Sequence, residues 1–454
     1  EGNLLDSNSQ GLNNHLRRTD WKMRFAVFLL VIEAVYLSSA TPSQQKSFHG
    51  HKVLDILPTT ENELKSILNL IKEYELDIWY EPKNLNDSLH VHVEPEKLGQ
   101  VLSHLNNLGS RVKVWIEDVQ KLIDGSFTPK PRLHRRAILQ RGLDLNNAYY
   151  SYGEIMAYLD YVQLNAKGVQ VSQQVFGQTA EGRALKYLKI SHPSRISKKA
   201  IIIDGGIHAR EWISPASVIW MMDKLVFNPL NDPEVTTLLN HFDFYMIPVL
   251  NPDGYEFSRT NDRLWRKNRR INSGSTCIGV DLNRNFDYQW NPNNGGSTNP
   301  CNTVYSGTRG LSEPESAALA NFIHTLKGVD NGGPVQAYLT IHSYGQYWLY
   351  PWGYTTAYPV DRLDLDNLAQ VAASAILKVH RKRFTVGSST NVLYAAAGGS
   401  DDYAKGSAGV KYSYTLELRD TGVYGFVLPE NQILPACEET WAGVKAFALA
   451  LASY

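Results

Sequence analysis

Residues 199–212 read KAIIIDGGIHAREW. The first six, Lys199–Asp204, form a near-continuous apolar run, the pattern of a strand buried on both faces. Gly205-Gly206 ends the run and permits close backbone approach. His208 and Glu211 then follow in the loop at i, i+3, a spacing that brings an imidazole and a carboxylate round one turn. Three further runs share the strand pattern: Tyr245–Leu250 (YMIPVL), Gln336–Ile341 (QAYLTI) and Tyr412–Leu418 (YSYTLEL). They alternate with helical periodicity over Ser214–Phe227, Pro314–Leu326, Leu363–Val379 and Cys437–Leu451. Buried strands interleaved with amphipathic helices predict an α/β domain over residues 142–454, an open mixed or parallel sheet covered by helices on both faces. Ligand sites in such folds lie beyond the carboxyl ends of strands. His342 stands at that position too, directly after AYLTI.

Two imidazoles and one carboxylate make a three-ligand zinc set that leaves a coordination position open for catalysis. A His-x-x-Glu pair alone is common by chance, so the weight rests on both histidines falling at strand ends. An open-site zinc polarises carbonyls and lowers the pKa of water, and such chemistry needs a general base nearby. Along Lys411–Arg419 the residues Lys411, Ser413, Thr415, Glu417 and Arg419 alternate with apolar ones. Glu417 therefore projects from the more polar face near a strand end, as a base or as a structural partner of Arg419 or Lys411. Arg263, Arg266, Lys267, Arg269 and Arg270 crowd one short stretch, and DLNRNF follows at Asp281–Phe286. Arginine suits bidentate recognition of a carboxylate, so the cluster suggests an anionic group on the substrate. For Arg269 and Arg270 a solvated surface role is the alternative.

The rest of the chain sets the context. It has 454 residues, 43% apolar and 20% charged, which excludes wholesale disorder. Lys plus Arg and Asp plus Glu number 45 each, so the charge balance gives no nucleic-acid footprint. Residues 25–40 (FAVFLLVIEAVYLSSA), preceded by Met23-Arg24 and ending in small residues, read as a signal peptide. Residues 1–22 read as an upstream extension, and Met23 as the start. No later stretch has 18 consecutive apolar residues, so a secreted protein without a membrane span is expected. Residues 48–124 carry strand, helix, strand, strand, helix, strand in order, the split βαβ arrangement, with a glycosylation sequon at Asn86. Residues 125–141 (GSFTPKPRLHRRAILQR) hold five Lys or Arg and no acid, an exposed connector with Arg136 and Arg141 as candidate cleavage sites. Three cysteines permit one bridge and a spare thiol.

GGIHAREW, NPDGYE, CxGVDLNRNF, SEPE, LTIHSYxQ and TLELRDTGxYGFxLP form a collinear set that resembles the zinc metallocarboxypeptidases. The closer likeness is to the secreted A- and B-type procarboxypeptidases of the digestive tract, and DIWYEP (77–82) with EDVQxLI (117–123) extends it into an activation peptide. The resemblance implies an eight-stranded mixed sheet flanked by helices, preceded by a ferredoxin-like activation domain. It implies His208, Glu211 and His342 as ligands of one zinc ion, Glu417 as the base that activates the attacking water, and Arg266 as the group that stabilises the developing oxyanion. Asn283 and Arg284 match the pair that grips the substrate's terminal carboxylate, Tyr394 matches the tyrosine that closes over it, and Arg210, Ser343 and Tyr344 match nearby subsites. Cys277 and Cys301 match the family disulfide, which leaves Cys437 as a buried free thiol.

Asp401 matches the pocket-floor position, where aspartate accompanies preference for C-terminal Lys or Arg and an apolar residue accompanies aromatic or aliphatic preference. Ser389 matches another pocket-lining position and is compatible with a long basic side chain. One extra residue lies within Tyr403–Glu417 relative to the family spacing, and Tyr403 stands where Trp is common. The A-type preference is the alternative reading. The implied partners are peptide or protein C-termini, a trypsin-like activating protease and the chain's own propeptide as inhibitor, with neither nucleic acid nor membrane; a monomer is expected. A serine-hydrolase reading has no G-x-S-x-G elbow to support it.

Overall fold

The computed structural model describes residues 45–81, 83–128, 130–229, 231–328 and 335–453. The signal-like run and the extension before it lie outside these residues. Within residues 52–116 the expected order is realised as β1 (Lys52–Leu57), α1 (Glu61–Glu73), β2 (Asp77–Tyr80), β3 (Leu89–Val93), α2 (Pro95–Asn107) and β4 (Arg111–Ile116). The sheet order is β2-β3-β1-β4, and each pairing is antiparallel. Thr60 caps α1 by accepting from the Glu63 N–H. Ile67, Leu70 and Ile71 of α1 and Val101 and Leu105 of α2 cover Leu54, Ile56, Leu89, Val91 and Val93.

The alternating sequence of β3, LHVHV, is that of a strand with one wet face. All five residues are nevertheless buried. The reason is tertiary: the sheet's second face packs on the larger domain. There Phe48, Val53, Trp79 and Ile116 join Leu264, Tyr344, Phe426 and Val427 in one apolar cluster. His90 stacks on Trp115 with ring centroids 5.1 Å apart, and His51 Nδ1 lies 3.0 Å from His92 Nε2.

The connector is more ordered than its composition implies. Between α3 (Val119–Ser126) and α4 (Arg135–Arg141) the described residues form neither helix nor strand. Ile138 of α4 is fully buried, and Arg135 pairs with Asp160 at 2.9 Å on α5 (Tyr152–Asn165). Arg136 and Arg141 remain exposed.

The large sheet contains β5 (Gln170–Gln178), β6 (Ala184–Ser191), β7 (Lys199–Gly205), β8 (Phe242–Ile247), β9 (Val335–Ser343), β10 (Tyr347–Tyr350), β11 (Thr385–Ser388) and β12 (Tyr412–Leu418). Its order is β11-β10-β12-β9-β7-β8-β6-β5. The central β12-β9-β7-β8 are parallel, and they are the four strands visible as apolar runs in the sequence. β6 and β5 continue the sheet antiparallel on one side, and β10 pairs antiparallel with β12 on the other. β8 starts three residues earlier than its run suggested and stops before Pro248, which has no N–H to give a ladder.

Helices α6 (Ile213–Phe227), α7 (Pro233–His241), α8 (Pro252–Thr260), α9 (Pro314–Gly328), α10 (Arg362–His380), α11 (Ser389–Val392), α12 (Ser400–Gly406) and α13 (Ile433–Leu451) complete the domain. One core holds Ile201, Ile203, Leu339 and Leu416 against α5, α6, α7, α10 and α13. The other holds Ile202, Tyr245 and Tyr338 against α9 and α12. The sheet is therefore covered on both faces. Among the described residues no helix is long and apolar enough to cross a membrane.

Candidate active site and metal centre

β7 and β9 are parallel neighbours in register, with Gly205 opposite Ile341, so the residues just beyond them share one end of the sheet. Gly206, at φ +66°, turns the chain away from β7; a Cβ there would fall 2.9 Å from Pro215 Cγ. The turn delivers His208 and Glu211 beside His342. His208 Nδ1 lies 2.7 Å from Glu211 Oε1, and His342 Nδ1 lies 3.1 Å from both Glu211 Oε2 and His208 Nδ1. All three residues are buried. The outer ring nitrogens face oxygens, His208 Nε2 at 3.2 Å from Asp281 Oδ1 and His342 Nε2 at 3.2 Å from Thr340 Oγ1. With N–H groups on the outer nitrogens, two lone pairs and a carboxylate converge on one point, and only a cation satisfies all three. The field agrees. Burial opposes charge on His342, yet the Glu211 carboxylate outweighs it and lifts the imidazole to about 9, so the site calls for positive charge there. The donor set, two imidazoles and a carboxylate, fits zinc.

Asp281 organises the next shell. Its carboxylate meets His208, accepts from Arg266 Nε at 2.9 Å, and accepts from the Asn283 N–H at 3.0 Å. Burial opposes its ionisation, but Arg266 and His208 prevail and hold it well below the usual carboxylate range. The Asn283 contact caps a short 3₁₀ turn, Leu282–Arg284, which fixes both clamp candidates. Arg284 is held through carbonyls: Nε donates to Gly295 O at 2.7 Å and Nη1 to Asn283 O at 2.9 Å. Among the described residues no carboxylate lies at ion-pair distance from Arg284. Position 295 itself requires glycine, since its φ is +77° and a Cβ would sit 1.7 Å from Ala395 O.

His208, Glu211, Arg266, Asn283 and Arg284 line a cavity of about 300 Å³ together with Glu417, Tyr394, Asp401, Ser389, Ser343 and Tyr344. Glu417 sits opposite His342 on the adjoining strand. Its structural alternatives are otherwise engaged: Arg419 Nε bonds Glu439 at 3.0 Å, and Lys411 pairs with Asp364 at 2.6 Å. Burial pushes the Glu417 carboxyl up to about 8. Ser413 and Thr415 share its face, and Ser413 Oγ donates to Asp401 O at 2.8 Å, tying β12 to α12. The two aspartates that open α12 differ. Asp402 accepts from the N–H groups of Gly353 and Tyr354 at 2.8 and 3.0 Å. Asp401 borders the cavity, only 6% exposed, with Ser389 Oγ 3.5 Å from its Oδ2.

A family model described as "Zinc carboxypeptidase" matches residues 155–443. The chain belongs to the zinc carboxypeptidase family. A second model, "Carboxypeptidase activation peptide", matches residues 54–126, so the chain is a carboxypeptidase zymogen. Carboxypeptidase A2 of Mus musculus is 40% identical over 404 residues, covering 88% of this chain and 94% of its own. Carboxypeptidase B of Astacus astacus is 46% identical over 303 residues, covering 66% of this chain and 96% of its own. The crystal structure of carboxypeptidase A from Helicoverpa armigera matches with a TM-score of 0.79 at 30% identity, covering 90% of this chain and 99% of that one. Both A- and B-named relatives thus resemble this carboxypeptidase.

The activation domain roofs the cavity with Leu76, Ile78, Trp79, Tyr80 and Glu81. Arg210 is occupied from that side: Asp77 receives Nη1 at 2.5 Å and Nη2 at 3.3 Å, while the Arg210 guanidinium stacks 3.9 Å from the Phe426 ring. Tyr80 and Tyr347 share a hydroxyl contact at 2.9 Å. The bridge Cys277–Cys301 encloses the segment that carries Asn283, Arg284 and Gly295. Cys437 is buried against Ser217, and burial pushes its thiol up to about 12, which keeps it un-ionised. Within the basic stretch, Arg263 is buried, stacks 3.8 Å from Trp212 and donates to the carbonyls of Arg210 and Phe426. Arg269 lies 3.6 Å over Phe257, a packing role. Sequence reasoning did not single out Asp281 or Thr340. Asp281 stood in plain view within DLNRNF, but Arg266 and His208 lie 15 and 73 residues away, and its third partner is the backbone N–H of Asn283.

Proposed function

We propose that this zymogen yields a secreted, extracellular carboxypeptidase that removes C-terminal Lys or Arg from peptides and proteins. The observation that carries the basic preference is Asp401. It is a buried carboxylate on the cavity wall, and among the described residues no cation lies at ion-pair distance from it. Such a group is costly to leave unpaired and favours a cationic side chain. Asp402 is absorbed by backbone N–H groups, which supports assigning the pocket floor to Asp401. Ser389 is short enough to leave room for a long side chain.

The residues divide the reaction among them. Arg284, held by the carbonyls of Gly295 and Asn283, grips the terminal carboxylate with Asn283, and Tyr394 closes over it. An internal bond offers the clamp no carboxylate, so only the last peptide bond reaches the reaction centre. His208, Glu211 and His342 hold the zinc ion, which when bound supplies Lewis-acid polarisation of the carbonyl and acidifies water. Arg266, pinned by Asp281, meets the oxygen where negative charge develops. Glu417 takes the proton of the attacking water and returns it to the departing nitrogen; its raised pKa suits a group that must do both. Arg210, Ser343 and Tyr344 line the approach, and release of Arg210 from Asp77 accompanies removal of the activation domain.

A trypsin-like protease cuts the connector after Arg141, or after Arg136. N-terminal sequencing of the trypsin-treated chain tests this, and a mature chain starting elsewhere refutes both sites. For specificity, the trypsin-treated chain, with trypsin then inhibited, is assayed on two matched peptides ending in Arg and in Phe. Preference for Arg that is lost on zinc chelation is expected. Preference for Phe would make this an A-type enzyme with Asp401 misassigned.

A further inference from the structure

The two imidazoles that face the metal are oriented by different devices. His208 gives its outer N–H directly to a carboxylate, Asp281 Oδ1 at 3.2 Å. His342 faces a hydroxyl instead, with Nε2 at 3.2 Å from Thr340 Oγ1. A threonine hydroxyl has a single proton, and here it is committed: Thr340 Oγ1 donates to Asp204 Oδ1 at 2.9 Å. The hydroxyl therefore meets Nε2 with a lone pair, which requires Nε2 to carry the N–H. Nδ1, on the inner side, is left with the lone pair that a metal needs. If Thr340 turned its proton towards Nε2, the ring would hold its N–H on Nδ1 and could not ligate.

The sheet builds this arrangement. Thr340 and His342 lie two residues apart on β9, so they share one face. Asp204, on β7, stands opposite Thr340 in the parallel register. Both Asp204 and Thr340 are fully buried, and among the described residues no cation lies at ion-pair distance from Asp204. A fully buried carboxylate at the carboxyl end of a strand, following Ile201, Ile202 and Ile203, is costly in stability unless its oxygens are bonded.

We propose that Asp204 and Thr340 are positioning residues for the zinc ion, forming a carboxylate–hydroxyl–imidazole relay that fixes the ligating tautomer of His342. The inference rests on His342 being a zinc ligand. Groups that orient metal-bound histidines typically account for about 10- to 100-fold in metal affinity.

The test uses the full-length zymogen. Zinc dissociation constants are measured by competition with a chromophoric chelator for the wild type, Thr340→Val, Thr340→Ser and Asp204→Leu, alongside melting curves of the metal-free forms. Thr340→Val keeps the shape and removes the hydroxyl, and about 10- to 100-fold weaker zinc binding is expected. Thr340→Ser restores the relay and should bind within about threefold of wild type. Asp204→Leu removes the acceptor of the threonine proton, frees that proton to face Nε2, and should weaken zinc without unfolding the metal-free chain; it decides the matter if the valine variant fails to fold. Wild-type affinity in Thr340→Val or in a folded Asp204→Leu would overturn the proposal, as would a serine variant as weak as the valine one. A wild-type chain that holds no zinc would instead refute the ligand assignment, and the relay with it.

Discussion

The two sides of the cavity, the enzyme's floor and the activation domain's roof, differ in where their polar groups bond. On the floor they bond to one another: Asp281 alone joins His208, Arg266 and the Asn283 turn. The small sheet bonds within itself, as at His51–His92 and Lys113–Asp55, and also reaches across, Asp77 to Arg210, Tyr80 to Tyr347, and Trp115 Nε1 to Gly422 O at 2.7 Å. None of these outward contacts touches His208, Glu211, His342 or Glu417. The lesson is that the zymogen is restrained by a cover over an assembled constellation. Changes to the floor should alter chemistry, and changes to the cover should alter only the release of that chemistry.

Glu417→Gln should have the largest effect. In the trypsin-treated enzyme kcat is expected to fall on the order of 10³-fold, with zinc content and the rate of connector cleavage unchanged. A floor mutation that altered cleavage would break the distinction. Asp401→Ala comes next: kcat/KM for an Arg-terminated peptide should fall on the order of 10²-fold, as for loss of a buried charge partner, while that for a Phe-terminated peptide holds or rises. Asp77→Asn acts on the cover. Loss of its pair with Arg210 should raise the rate of tryptic activation about tenfold, or ~1.4 kcal/mol, with kcat of the mature enzyme unchanged. His90 gives the smallest effect. Burial is the main influence on it and lowers its pKa below 6.5, against the pull of Asp55 and Asp420 and with that of Lys113. A depressed value means that docking stability is present above pH 6.5 and is lost as the pH falls towards the folded value. Tryptic activation, corrected for trypsin's own pH profile, should therefore be about threefold faster at pH 5.5 than at 7.5, and His90→Gln should flatten that difference.

Much of this was legible in the chain. The four central strands announced themselves because burial on both faces leaves an uninterrupted apolar run. β12 showed its polar face through strict alternation, and Glu417 lies on it as read. The edge strands were silent: β5, QVSQQVFGQ, has no buried residue and no continuous apolar run. The connector misled by composition, since its five basic residues outweigh the buried apolar residue, Ile138, that docks α4.

Sequence by itself determined the order of elements, the residue types at each strand end and the presence of a metal-binding donor set, because periodicity and chemistry are local properties. Only the tertiary structure decided which groups meet. The burial of His90 and His92 depends on a second domain, as the engagement of Arg419 and Lys411 elsewhere depends on Glu439 and Asp364. The same holds for the contrast between Asp401 and Asp402, neighbours of one residue type whose environments differ because Gly353 and Tyr354 present their N–H groups to one alone. Pairing across the sheet is a property of register, and register joins residues more than a hundred positions apart, as it does Asp204 and Thr340.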